Sequence, residues 1–179
     1  MRKFNPLSLG PASLIVGVLA SAAFAQTPSS ALPGGASSLQ ETFQDWRVTC
    51  SLMQNNKICS VAQVQTQQNG QRVLAIELAA SKDNGASGVL MLPFGLKLQD
   101  GAILKIDNNP PLPPLSFSTC LPVGCVVPVN LTAASVNALR SGTSLTVSAN
   151  AADGAQSLSL PVSLKGLAPA LDRLNQLQK

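Results

Sequence analysis

The 179-residue sequence contains no histidine and no tyrosine, and it has only one tryptophan. Without histidine, the chain cannot provide an imidazole base, a Ser–His–Asp or Cys–His nucleophile, or a histidine-ligated zinc ion. Hydrolysis would then need carboxylates, as in glycosidases. Charged residues make up only 11% of the chain, whereas hydrophobic residues make up 45%. This composition, with 13 glycines and 13 prolines, is typical of an ordered chain rich in turns.

The first 25 residues have the three-part pattern of a secretory signal: a positive start, an apolar run and small residues at a cleavage site. The three parts are Arg2-Lys3, Leu14 to Ala23 and Ala23-Phe24-Ala25. A membrane anchor is the alternative, but the run is shorter than the roughly 20 apolar residues that a span needs. We therefore predict that residues 1–25 are a cleaved signal peptide and that the mature chain begins at Gln26.

Cleavage changes the charge balance of the chain. It leaves 154 residues and removes Arg2 and Lys3, so that ten basic residues face eight acidic ones, a net charge of +2. This small charge without a basic cluster, and the few aromatic residues, argue against nucleic-acid binding. No later stretch approaches the length of a transmembrane segment. We therefore expect an exported protein, periplasmic or secreted and associated with the outer envelope, with no transmembrane segment after cleavage.

The four cysteines of the mature chain allow three disulfide connectivities. An oxidising compartment after export favours structural disulfides. Cys50 and Cys59 flank one stretch of turn-forming residues, and Cys120 and Cys125 flank another. The local pairs Cys50–Cys59 and Cys120–Cys125 are the simplest of the three connectivities. A metal or redox site is the alternative, but the sequence has no C-x-x-C pair, and we expect no metal and no cofactor.

The mature chain divides into a leader and one domain. Residues 26–42 are rich in serine, proline, alanine and glycine, which predicts a disordered leader. Residues 43–179 form the expected single β domain. Short alternating stretches separated by turn residues predict seven to nine strands. Thr132 to Gly142 has the cap and stop residues of an internal helix, and Pro169 to Leu177 has the apolar stripe of an end helix.

One strand pair has a register that two patterns support independently. Apolar and polar residues alternate around Val48, and the same alternation continues around Val61. Placing Cys50 opposite Cys59 also places Val48 opposite Val61. Pro128, inside another predicted strand, indicates a sheet edge or a bulge. The predicted fold is mainly β, an antiparallel β-sandwich or partly closed barrel with one short internal helix and a C-terminal helix.

The ordered motifs of this domain resemble those of the invasion-associated locus B family of exported bacterial proteins, over about Phe43 to Leu174. The resemblance implies a periplasmic or cell-envelope protein with a mostly β fold and no catalytic residues to transfer. Founding members are linked to host-cell invasion, but many relatives occur in free-living bacteria, so that role is not carried over. In chain order the matching landmarks are Trp46-Arg47-Val48-Thr49-Cys50, Cys59, Pro93-Phe94-Gly95, Leu98, Gly101, Ile106-Asp107, Phe117-x-x-Cys120, Gly124-Cys125, Leu139-Arg140-x-Gly142 and Pro161-Val162-Ser163-Leu164-x-Gly166.

Three residues are candidate ligand or partner contacts. Arg47 and Arg140 match family landmarks and could also pair with an acid such as Asp107 or cap a carbonyl group. Trp46 is either a core anchor near the first disulfide or a platform for stacking sugars. The core role is favoured for Trp46, because sugar-binding proteins usually display several aromatic residues.

Three functions follow from these observations. The first is a non-enzymatic, exported envelope protein that binds a protein or an envelope component, through an open sheet edge or the loop near Cys120 and Cys125. The second is a carboxylate-based hydrolase of envelope polysaccharide, with Glu77 and Asp107 as its candidate acids. Glu77 is either a buried acid or, by strand alternation, a residue of a solvent-facing side. The third is a small-ligand or sugar-binding module.

Overall fold

The computed structural model describes residues 32–54, 56–154 and 156–178. The strands are β1 (Ser38–Phe43), β2 (Trp46–Met53), β3 (Asn56–Thr66), β4 (Arg72–Ala80), β5 (Ala86–Leu92), β6 (Ala102–Ile106), β7 (Thr119–Leu121), β8 (Gly124–Leu131), β9 (Ser144–Asn150) and β10 (Ser157–Ser163). The helices are α1 (Ala133–Ser141) and α2 (Leu167–Gln178). The predicted signal peptide lies outside the described residues.

The strands form two antiparallel sheets that enclose a common hydrophobic core. Seven strands pair in the order β1-β2-β3-β4-β5-β8-β7, and three pair in the order β10-β9-β6. Side chains from both sheets and both helices belong to one buried cluster. The predicted class, mainly β with one internal helix and a C-terminal helix, is confirmed.

Strands β2 and β3 show why alternation produces this sheet. Val48 and Cys50 of β2 are buried, as are Cys59 and Val61 of β3, while the intervening residues face outward. The strands pair with Cys50 opposite Cys59 and Val48 opposite Val61, which is the predicted register. A disulfide joins Cys50 to Cys59 inside the core. Pattern and covalent bond therefore fix the same face toward the core.

The start of the folded part differs from the prediction. We predicted a disordered leader through residue 42, but β1 begins at Ser38 and Leu32 is buried. Strand β1 pairs along its whole length with β2. Its Glu41 also forms two hydrogen bonds with Arg173 of α2, with Nε–Oε2 and Nη2–Oε1 distances of 2.7 and 2.8 Å. Strand β2 follows after a two-residue turn, so β1 was missed because of its polar composition and not because its main partner is distant in sequence.

The two helices begin and end close to where the sequence predicts. The hydroxyl of Thr132 accepts a hydrogen bond from the backbone N–H of Ser135 at 3.2 Å, which caps α1. Helix α1 stops before Gly142. Helix α2 buries five apolar side chains and packs against β1 to β4. Neither of the two described helices is long and apolar enough to cross a membrane.

Side chains of the large sheet hold the edge of the small one. The indole N–H of Trp46 and the amide of Gln63 both donate to the carbonyl oxygen of Ser163, each at 2.9 Å. The amide of Gln65 donates to the carbonyl oxygen of Pro161 at 2.8 Å. These hydrogen bonds satisfy carbonyl groups of β10 that no neighbouring strand of the described chain reaches on that side.

Candidate binding surface

The outward face of the seven-stranded sheet carries a continuous row of apolar side chains. Val64 on β3 lies opposite Ala75 on β4, which lies opposite Met91 on β5. Met91 in turn lies opposite Val126 on β8. Opposite residues of an antiparallel pair point to the same face. Val64 is 55% exposed and the other three residues are half-buried, so this apolar row is partly open to solvent. Contiguous exposed apolar surface marks sites of interaction.

At one end of the sheet, two tight turns add large apolar side chains to this surface. Phe94, which follows β5, is 58% exposed, and Val123, between β7 and β8, is 56% exposed. Together with Pro122 and Arg72 they line a cleft of about 270 Å³, which we call the end cleft. The Arg72 guanidinium donates to Sδ of Met91 at 3.4 Å. The end cleft is therefore continuous with the apolar row.

A disulfide and a glycine fix the wall of the end cleft that contains Val123. The Cys120–Cys125 disulfide joins facing residues of β7 and β8 and closes the turn between them. Gly124 has a φ of 137°, and a Cβ there would lie 2.6 Å from the carbonyl oxygen of Leu92. Only glycine lets this turn approach the end of β5 so closely. The local pairing that we favoured for both disulfides is the pairing in the structure.

The open edge of β8 is a poor site for adding a strand. The carbonyl oxygen of Val126 accepts from the backbone N–H of Ser118, so this residue faces away from β5. Pro128, two positions later, has the same orientation and no N–H to offer at that edge. It lies in the part of β8 that extends past the three-residue β7. The sheet edge predicted from Pro128 is thus present, and the proline makes this edge unfavourable for pairing with another strand.

The three candidate contact residues do not form one site. Trp46 is 1% exposed and belongs to the core, so its ring is not available as a stacking platform. Arg140 donates to the carbonyl oxygen of Ala168 at 3.3 Å and to Asp172 at 2.6 Å, which joins α1 to α2. Arg47 is exposed on β2, beside a separate shallow pocket.

The two candidate acids of a hydrolase are also apart. Glu77 lies on the outward face of β4, between Ala62 and Val89, so alternation places it correctly on the solvent side. Asp107 lies after β6, in the small sheet. It accepts hydrogen bonds from the hydroxyl and backbone N–H of Thr143 and from the N–H of Ser144, and these lower its pKa. A general acid needs a raised pKa, so a lowered pKa does not suit Asp107 to that role. Its hydrogen bonds instead tie the end of β6 to the start of β9.

The remaining charged clusters have structural partners. The hydrogen bonds from Arg173 hold the pKa of Glu41 below its usual value. Hydrogen bonds from Asn150 and Lys97 do the same for the pKa of Asp100. Within the described ranges, no group of three or more cysteine, aspartate or glutamate side chains is arranged to hold a metal ion.

The sequence indicated the loop near Cys120 and Cys125, which contains Val123, as a candidate surface, but it did not indicate Arg72 or Phe94. Pro93-Phe94-Gly95 was only a family landmark, and nothing distinguished Val123 within its loop. The signal that could have found them is an apolar side chain at the centre of a tight turn, where polar residues are usual. Arg72 had no such signal, because a charged residue at the start of a strand is ordinary and its position near Val123 depends on the pairing of β5 with β8, which are not consecutive in sequence.

Comparisons with known proteins agree with the fold. The family model described as Invasion associated locus B (IalB) protein matches residues 46–175. An invasion protein B homolog of Brucella abortus (strain 2308) is 47% identical over 152 residues, which covers 84% of this chain and 87% of the relative. Invasion protein B of Bartonella bacilliformis is 37% identical over 171 residues, or 90% and 92% of the two chains.

A solved structure gives the same result. The crystal structure of invasion associated protein B from Bartonella henselae has a TM-score of 0.73 and 31% identity to this chain, and it covers 78% of this chain and 97% of its own. The names of these relatives state no enzymatic activity. On the family match, the two curated relatives and this shared fold, the chain belongs to the invasion-associated locus B family.

Proposed function

We propose that this chain is a non-enzymatic, exported cell-envelope protein that acts by binding a protein or an envelope component. The observation that supports it best is the apolar row of Val64, Ala75, Met91 and Val126, continuous with the end cleft. A rigid sheet that exposes apolar side chains next to solvent gains free energy when a partner covers them. Membership of a family whose names describe no catalysis is consistent with this role.

Photo-crosslinking from the outward face of the large sheet tests this function. A photoreactive amino acid would replace Val64 or Val89 on the outward face, or, as the control, Ile103 on the small sheet, which is also exposed. We expect the two outward positions to give the same discrete adduct in intact cells and Ile103 to give none. Identical background from all three positions would overturn the proposal.

Export is the second part of the proposal. We propose that residues 1–25 are removed as a signal peptide, and that the mature protein is periplasmic or associated with the outer envelope. Two disulfides within one domain support this, because such bonds persist in oxidising compartments. Intact mass measurement of the protein from fractionated cells should give a chain that begins at Gln26. A full-length chain in the cytoplasmic fraction would contradict the prediction.

A further inference from the structure

The end cleft has the size and lining of a pocket for part of a peptide. Its volume of about 270 Å³ is near the lower end of the range for ligand pockets, roughly 300–1,000 Å³. Phe94, Pro93, Pro122 and Val123 make most of the lining apolar, and Arg72 supplies the only charge among its lining residues. A cleft with this lining can accept an apolar side chain, and Arg72 can bind an anion next to that side chain.

Arg72 has capacity for that anion. Within the described structure its guanidinium donates a hydrogen bond only to the thioether of Met91, and a thioether is a weak acceptor. By contrast, Lys97, Arg140 and Arg173 each pair with a carboxylate. Guanidinium groups bind carboxylates through two parallel hydrogen bonds. Charge complementarity therefore points to a carboxylate as the group that Arg72 binds.

The shape of this end of the sheet favours an extended peptide over a flat lipid surface. Ala75 pairs with Met91, which puts Arg72 level with Phe94. The turn at residues 67–71 therefore extends past Phe94, and it is exposed and uncharged. A membrane would meet this polar turn before it reached the apolar side chains. A peptide can instead lie between the turn and Val123.

We propose that the end cleft binds an extended segment of a protein partner, with one apolar side chain between Phe94 and Val123 and a carboxylate on Arg72. The inference rests on the proposed binding function and specifies the partner's chemistry. The carboxylate is either the C-terminus of the partner or an acidic side chain next to the apolar residue. Both present the same two oxygens to Arg72.

Short peptides and the mature chain, with both disulfides formed, test the proposal by NMR. The probes are acetyl-Ala-Leu-Phe with a free carboxylate, the same peptide with a C-terminal amide, and acetyl-Ala-Leu-Asp amide. We expect the free acid or the aspartyl peptide to shift the backbone amides of Phe94, Val123 and Gly124, and the neutral peptide to bind about fivefold more weakly. The stronger of the two acidic probes identifies the source of the carboxylate. Equal affinity for all three, or no shifts at the cleft, would overturn the inference.

Variants separate the two features of the pocket. Arg72→Gln should remove the preference for acid over amide, while Val123→Asp should weaken all three peptides at least tenfold by placing a charge in the apolar wall. Met53→Asp is the matched control, because Met53 is 59% exposed at the opposite end of the sheet, and binding should not change. An unchanged acid preference in Arg72→Gln would exclude Arg72 as the carboxylate ligand.

Three further outcomes contradict the proposal in different ways. Sedimentation with phosphatidylglycerol vesicles that depends on Phe94, without peptide shifts, would replace the peptide with a lipid. If no peptide binds but a photoreactive residue at position 64 still crosslinks to a partner, the cleft inference is refuted and the proposed function is left intact. Absence of both signals would refute both.

Discussion

Gly166 shows how a single residue fixes the meeting of two elements. It lies between β10 and α2 with a φ of +87°, and a Cβ there would collide with the carbonyl group of Phe43 at the end of β1. Glycine is therefore needed for both its backbone conformation and its lack of a side chain. The same position closes the last family landmark of the sequence.

Replacing Gly166 by alanine should destabilise the fold by about 2–4 kcal/mol, because the cost of a left-handed backbone conformation adds to the cost of the steric contact with Phe43. Gly154→Ala is the matched control, since Gly154 has a φ of +72° but nothing near its missing Cβ. It should cost only about 1–2 kcal/mol. Urea unfolding of both variants measures the difference, and equal losses would show that the contact with Phe43 relaxes freely.

Asp107 should make stability depend on acid pH. Hydrogen bonds from Thr143 and Ser144 hold its pKa below the ordinary value of 3.8. Its contribution is thus complete above the unfolded pKa and is lost as the pH falls through the lower, folded pKa. Asp107→Asn should therefore unfold at lower urea than the wild type at pH 6, and the two urea midpoints should approach each other as the pH falls below 3.8. A constant gap between them would indicate that the loss is unrelated to ionisation.

At the scale of elements, α2 is held mainly by its apolar stripe. Leu174 is fully buried against the large sheet, whereas the Arg173–Glu41 pair is partly open to solvent. Leu174→Ala should cost about 2–5 kcal/mol because it leaves a cavity. Arg173→Gln should cost less, since a partly exposed ion pair competes with water. Urea denaturation monitored by circular dichroism gives both values, and the reverse order would contradict the argument.

The elements also show what local sequence can predict. Helix α1 and the β2–β3 pair were predictable, because their caps, alternation and facing cysteines lie within a few residues of one another. Strand β1 was not predictable, because its sequence is mostly polar. None of its residues is fully buried, so it lacks the apolar alternation of a core strand. Its stability comes from β2 and from Arg173, which is 132 residues away from Glu41. The contact with Arg173 leaves no local signal, and the polar sequence of β1 conceals its hairpin with β2.

The same limit applies to the binding surface. The turn near Cys120 and Cys125 was predictable as a candidate from the cysteine spacing. The end cleft was not, because Arg72, Phe94 and Val123 come from three strand ends that only the sheet order brings together. Trp46, the only tryptophan, is not part of this surface, because its indole N–H donates to the carbonyl oxygen of Ser163 and so links the two sheets.

At the scale of the molecule, the boundary of the folded domain is a testable quantity. A mature chain that begins at Phe43 lacks most of β1 and the buried Leu32. It should lose more than about 3 kcal/mol of stability through lost apolar burial and strand hydrogen bonds. In a urea titration, the unfolding midpoint of Leu32→Ala in the chain that begins at Gln26 should lie between those of the unchanged chain and the chain that begins at Phe43. Equal stability of both chains would restore Phe43 as the start of the domain.

Because the Cys120–Cys125 bond forms only by oxidation, the compartment of the protein determines when the end cleft is complete. These thiols can join only where an oxidant is present, so a newly made chain in a reducing cytosol has an unclosed turn at Val123. One wall of the end cleft is then not yet fixed opposite Phe94. We therefore expect the apolar pocket to mature only after oxidation, which would keep it from capturing cytosolic peptides during synthesis.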